Sequence, residues 1–341
     1  MLQEFVSGAA TGIGSLPHDS VEEAITFVFD HCPALPAAPQ LSRAHAAESM
    51  LAQAVAGIPG LHASATAITL DPAELPSLEG CATLAAALPA DSFASTFEFF
   101  GAFRASIGEA PRGRGMKVQL LGPASLAIAL HRAGLPSASA VLYAGAIVRA
   151  RVHALATAAQ GAAGDSAVLV CLDEPSLGVY ANGDGPGDVS HAVDVLSGAL
   201  ARVDRGVTTA VHCCGQGALT HAMAAGPDVV FVPVDILSER DCFSVAEFVE
   251  RGGWVGWGAI PAPGPVGDNA SLFWRRLVSM WNDVARVGAS PVRLRAQSLV
   301  SAACGLAGHT VAQADHVADL VGELSIRAQQ QAVGVRIQLG A

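Results

Sequence analysis

The stretch Val207–Gly217 reads V-T-T-A-V-H-C-C-G-Q-G. Its first five residues, Val207 to Val211, are β-branched or small and suit a buried parallel strand. His212, Cys213 and Cys214 follow at the strand's end, and Gly215 and Gly217 close it. Side chains alternate along a strand, so His212 and Cys214 share one face and Cys213 takes the other. An imidazole and a thiolate two residues apart on one face can hold a zinc ion from one side. The other reading is a buried pair of free thiols beside a core histidine, since cysteine is among the most buried residue types. The rest of the chain must decide between them.

Working outward, apolar runs alternate with Ala-rich helical segments. The strand candidates are Ala10–Leu16, Ala34–Gln40, Met116–Leu121, Ala167–Leu172, Val207–Val211, Val229–Val234, Trp254–Ile260 and Val292–Leu299. The second is Pro-rich, so it is an irregular strand or a loop. Helices are expected from Val21, capped by Asp19 or Ser20, and over 42–56, 138–163, 190–203, 218–225, 244–250, 272–286 and 311–333. The phenylalanines at 93, 97, 99, 100 and 103 fall at spacings of three and four and read as a core-facing helix face. Eight strand–helix units in a chain of 341 residues indicate an α/β fold, a single (β/α)8 TIM barrel spanning 1–341.

In such barrels chemistry gathers at the carboxyl ends of the strands. The polar residues there are Ser15, His18, Gln40, Asp173, Glu174, His212, Cys214, Asp235 and Cys304. They come from six different strand ends, although Gln40 and His18 also fit as ordinary loop residues.

Composition narrows the function. Hydrophobic residues make up 51% and charged ones 14%, enough apolar material for a large core. A formal net charge of −11 argues against nucleic acid and anionic membranes as partners. Mean hydropathy is high, at +0.43, but the long uncharged runs 49–70 and 296–314 are broken by Gly, His, Ser, Gln or Pro and do not read as spanning helices. No signal peptide is expected from Met1-Leu2-Gln3-Glu4. Seven scattered cysteines, an odd number, fit a reducing cytoplasm better than a disulfide framework.

Five strings together resemble the cobalamin-independent methionine synthase family, and more closely its short, single-barrel members within the wider uroporphyrinogen decarboxylase and methionine synthase-like superfamily. They are T-G-I-G-S-L-P at 11–17, K-V-Q-L-L-G-P at 117–123, L-D-E-P-S-L at 172–177, H-C-C-G at 212–215 and A-C-G-L-A at 303–307. The resemblance implies a zinc-dependent methyltransferase acting on the thiol of homocysteine. It implies His212, Cys214 and Cys304 as zinc ligands. Ile13, Gly14 and Ser15 match the segment that holds the amino-acid substrate, and Asp173 the residue that pairs with its ammonium group. Glu174, the neighbour of Asp173, is either a supporting residue or a source of the proton a folate donor would need.

The chain departs from the family pattern in three places. Where the family has a glutamate zinc ligand after the sixth strand, this sequence reads V-V-F-V-P-V-D, so Asp235 replaces it or the ion has three protein ligands plus water. The seventh strand ends in G-A-I-P-A-P-G with no catalytic histidine–aspartate pair. No second, folate-binding barrel is expected. The methyl donor is therefore open between methyltetrahydrofolate and a methylcorrinoid carrier. The alternatives are a uroporphyrinogen decarboxylase-like enzyme, which would need arginines such as Arg43, Arg104 or Arg112 for substrate carboxylates, and a zinc- or thiol-binding barrel without turnover.

Overall fold

The structure is a computed structural model that describes residues 5–109, 113–262 and 264–338. Arg112, one of the arginines considered above, lies outside the described residues. A short antiparallel hairpin, β1 (Leu61–Ala63) with β2 (Ile68–Leu70), precedes the main sheet. That sheet has six parallel strands in sequence order: β3 (Gly115–Leu121), β4 (Ala167–Asp173), β5 (Thr208–His212), β6 (Val229–Pro233), β7 (Trp254–Ile260) and β8 (Ser298–Ala302). Almost every residue in them is buried, as expected for parallel strands covered on both faces.

Two further strands were expected, over 10–16 and 34–40. Both segments are extended, but they make only isolated parallel bridges: Ala10 with Val300, Ser15 with Gln40, and Ala37 with Lys117. They lie between the two outer strands of the sheet. Thr11 donates to the Val300 carbonyl at 3.0 Å, Gln40 to Gly14 at 3.0 Å, and Ala38 to Lys117 at 2.8 Å. Pro36 and Pro39 lack the N–H a regular ladder needs. Gly14 sits at φ +139°, where an ordinary side chain would be strained.

Helices surround the sheet, with Ser20 capping Val21–His31 through the Glu23 amide. The longest described are Ser137–Ala163 and Val311–Gln338. Among the described residues, no helix is long and apolar enough to cross a membrane. The segment expected as one helix over 42–56 is a 3-10 turn, Ala46–Glu48, followed by Met50–Val55. Residues 292–296, expected as strand, belong to a helix at Pro291–Ala296, because Ser290 caps it and Pro291 is well placed in a first turn. The phenylalanine face is core as expected: Phe93, Phe99, Phe100 and Phe103 are buried, while Phe97 is 38% exposed.

Two apolar clusters follow from strand alternation. The larger joins the sheet to the helices. The smaller, on the opposite face of the strands, includes Ile13, Leu169, Cys171, Ala210, Phe231 and Leu299. Lys117 and Gln119 point into the same region, both buried.

Candidate metal centre

β5 ends at His212 and β8 at Ala302, so Cys214 and Cys304 each stand two residues beyond a strand's carboxyl end. The ligand atoms of His212, Cys214 and Cys304 all lie within 4.8 Å of one another. Tetrahedral coordination at about 2.3 Å to sulfur and about 2.0 Å to nitrogen needs donors roughly 3.5–4 Å apart. Two thiols and an imidazole grouped this closely could hold a divalent metal ion.

β4 delivers Asp173 to the same place. Its carboxylate lies 3.3 Å from His212 Nδ1 and accepts from the Cys171 thiol at 3.8 Å. Burial by itself would lower the His212 pKa, but the hydrogen bond and charge of Asp173 raise it above the ordinary value. The Cys214 thiol donates to Cys304, which pulls Cys304 below the usual thiol range against the effect of burial. The same bond, with burial, pushes Cys214 up.

Ser15 stands beside this group. A Cβ on Gly305 would overlap Ser15 Oγ as it stands, so a larger residue next to Cys304 would force that hydroxyl to turn, and Leu306 donates to the Ser15 carbonyl at 2.8 Å. Ser15 also borders a cavity of about 530 Å³ that reaches Gln40, Ser125, Ser176, the β1–β2 turn and Arg132. Arg132 makes no hydrogen bond or ion pair among the described residues. Ile13 and Gly14 precede Ser15 on the same buried segment.

Two expected site residues are placed differently. Glu174 is fully buried and turned away from the metal group: its carboxylate accepts from Ala124 N at 2.8 Å, and from Ser125 N and Ser125 Oγ at 2.7 Å each. It caps the helix Pro123–Arg132, and a Cβ on Gly122 would overlap it. Burial raises its pKa to about 7 against those three donors. These contacts give Glu174 a structural task at the start of that helix. Asp235 is corrected too. Pro233 ends β6, and Val234–Ile236 winds into a 3-10 turn that leaves Asp235 exposed. It lines a separate cleft of about 400 Å³ with Arg276 and Asp283 and does not join the three metal donors.

His18 is buried against Phe27, ring centroids 5.0 Å apart, and Gln40 bonds Gln53. Arg43 donates to the His309 carbonyl and Arg104 to the Gly161 carbonyl. The sequence reading passed over Lys117 and Gln119. Two long polar residues spaced i, i+2 in an otherwise apolar strand were the available signal, because that spacing puts both on one face.

No protein-family model and no curated protein matches the sequence. Solved structures do. A methyltransferase from Methanosarcina mazei superposes with a TM-score of 0.55 at 15% identity, covering 97% of this chain and 94% of that one. A protein of Listeria monocytogenes provisionally assigned as a vitamin-B12 independent methionine synthase also gives 0.55, at 10% identity, covering 97% and 98%. At such identities the chain shares the α/β fold of these two proteins over nearly its whole length.

Proposed function

We propose that the protein is a zinc-dependent methyltransferase that transfers a methyl group to the thiol of homocysteine, built as one eight-unit barrel domain over 1–341 and working in the cytoplasm. The observation that carries the reading is the grouping of His212, Cys214 and Cys304 at two strand ends. Two thiolates and an imidazole with an open position suit zinc acting as a Lewis acid. Zinc held there would keep the acceptor thiol ionised near neutral pH.

The chain's own groups supply the rest. Asp173 accepts a hydrogen bond from His212 Nδ1, so Nε2, 3.3 Å from the Ala303 carbonyl, is the nitrogen that would face a metal. Ser15 and the backbone before it stand where the acceptor's polar end would be held. The 530 Å³ cavity beside Ser15 has room for a methyl donor, with Arg132 as a free cation on its wall. The β7 exit, Ile260 to Pro265, offers no titratable side chain to protonate a folate leaving nitrogen. A methylcorrinoid or small methyl carrier therefore fits better than methyltetrahydrofolate polyglutamate. Arg43 and Arg104, two of the arginines the decarboxylase alternative would use, each donate to a backbone carbonyl.

The test is metal content of protein purified without chelator, together with homocysteine-dependent turnover using methylcobalamin and methyltetrahydrofolate. Stoichiometric zinc and methylcobalamin-dependent methionine formation are expected. Zinc without transfer from any donor would favour a thiol-binding barrel, and absence of zinc would sink the reading. Efficient folate turnover would overturn the donor preference alone.

A further inference from the structure

Along the six parallel strands, Lys117 is the only lysine or arginine and Asp173 the only carboxylate. Both are almost completely buried. Lys117 joins no ion pair among the described residues, and its contacts there are neutral. Its Nζ donates to the Ile13 carbonyl at 2.7 Å, contacts Gln119 Oε1 at 3.4 Å and lies 5.6 Å from the Phe231 ring centroid. A buried ammonium without a counter-ion is costly, so its place relative to other charges matters.

Strand register sets that place. Asp173 pairs with His212 across β4 and β5, and His212 with Phe231 across β5 and β6. Residues paired in register share a face, so Asp173, His212 and Phe231 form one row inside the sheet. Phe231 links the ammonium to His212. On the other side Gln119 is in register with Cys171, whose thiol donates to Asp173 at 3.8 Å. Burial pushes the Cys171 thiol up, and the charge of Lys117 works against that rise. The ammonium thus stands behind the Asp173–His212 pair, separated from it by neutral side chains.

A divalent ion held by two thiolates and a neutral imidazole carries no net charge. Asp173 and Lys117 cancel each other. A neutral molecule at the fourth position keeps the balance, whereas an anion there leaves one surplus negative charge in a buried site. Without Lys117 that anion would share the interior with Asp173 alone, and two like charges in a low dielectric repel strongly.

We propose that Lys117 is a specificity-determining charge, which makes the fourth position of the metal centre favour an anionic ligand such as the acceptor thiolate over a neutral one. This rests on the acceptor reading above. Lys117 touches neither the metal donors nor the acceptor; it acts through its field. The acceptor thiol gives its proton to solvent on binding, and the ammonium balances the charge that remains.

Cobalt(II)-loaded wild type, Lys117→Met, Lys117→Arg and Gln119→Glu are titrated at one pH with thiocyanate, propane-1-thiol and imidazole, following the visible absorption of the cobalt. The first two ligands are anionic on the metal and the third is neutral; none carries the carboxylate or amine of an amino acid. Gln119→Glu sets a carboxylate against Nζ and cancels its charge with the lysine in place, so it decides the matter even where Lys117→Met does not fold. Lys117→Met and Gln119→Glu are each expected to lose roughly tenfold or more for thiocyanate and propane-1-thiol, the scale of one unit charge nearby in a partly screened interior. Both are expected to bind imidazole as wild type does, and Lys117→Arg to keep most of the anion affinity. Equal losses for anions and imidazole, or wild-type anion affinity in the folded variants, overturn the role of Lys117 and leave the acceptor reading intact. Cobalt-loaded wild type that takes up neither propane-1-thiol nor thiocyanate removes the acceptor reading and this role together.

Discussion

The Asp173 carboxylate lies 3.3 Å from His212 Nδ1, and both side chains are almost completely buried. A carboxylate in that position fixes the ring's tautomer and strengthens the other nitrogen as a ligand. The family resemblance implied a different partner for Asp173, the substrate's ammonium group. The histidine contact is the one present in the protein. Asp173→Asn is accordingly expected to weaken zinc about 10–100-fold in a chelator competition. Unchanged zinc affinity, with weaker homocysteine binding, would return Asp173 to the substrate.

Much of this site was legible because strand alternation is strict. H-x-C places two donors on one face whatever the surrounding packing, and a cysteine just past β8 meets them once the sheet is parallel and in sequence order. The positions that were misread depend on local turns. Asp235 follows a proline, and the 3-10 turn after Pro233 swings it outward. Glu174 sits one residue past Asp173, and that one step sends it to the opposite side, onto a helix N-terminus. The first two expected strands are extended segments, but prolines and Gly14 reduce them to isolated bridges. Lys117 was legible only as the first letter of the K-V-Q-L-L-G-P string, with no role attached; its contact with the Ile13 carbonyl appears only in the folded chain.

The interior of the sheet makes a packing prediction. Gly256 in β7 lies against the Phe231 ring, and an added Cβ would overlap that ring. Both residues are in regular strands, so neither backbone can retreat easily. Gly256→Ala is expected to destabilise by about 1–3 kcal/mol through overpacking. Phe231→Leu in the same chain should recover part of the loss, seen as a favourable coupling in a double-mutant cycle by urea unfolding. Strictly additive effects would mean the two positions do not compete for space.

Arg151 makes a second prediction. It is fully buried on the helix Ser137–Ala163 and donates to the carbonyls of Ala56 and Ala87. Those carbonyls follow the helices Met50–Val55 and Leu78–Ala85, so one guanidinium serves two helix C-termini. Burial lowers its pKa to about 10, which leaves it charged at neutral pH. Arg151→Met should cost about 2–4 kcal/mol, since two carbonyls lose a charged donor. Arg151→Lys should recover only part, because a point charge cannot span both acceptors as a fork does. Chemical denaturation of the metal-free protein measures both.

The last prediction concerns acid. His18 is 3% exposed, and its Nδ1 finds no hydrogen-bond partner among the described residues. Burial lowers its pKa below the ordinary 6.5, although Asp315, Glu23 and Asp19 pull it upward. On its other side is the Phe27 ring, which in turn packs on His31. The unfolded chain therefore takes up a proton on His18 at higher pH than the native protein does. Stability from neutral His18 is complete above about 6.5 and is lost as pH falls toward the lower native value. Urea midpoints for wild type and His18→Gln, both metal-free and reduced, should be compared from pH 7.5 to pH 5. Wild type is expected to lose more stability than the variant across that window. Parallel curves would show that His18 takes its proton in the folded protein as readily as in the unfolded one.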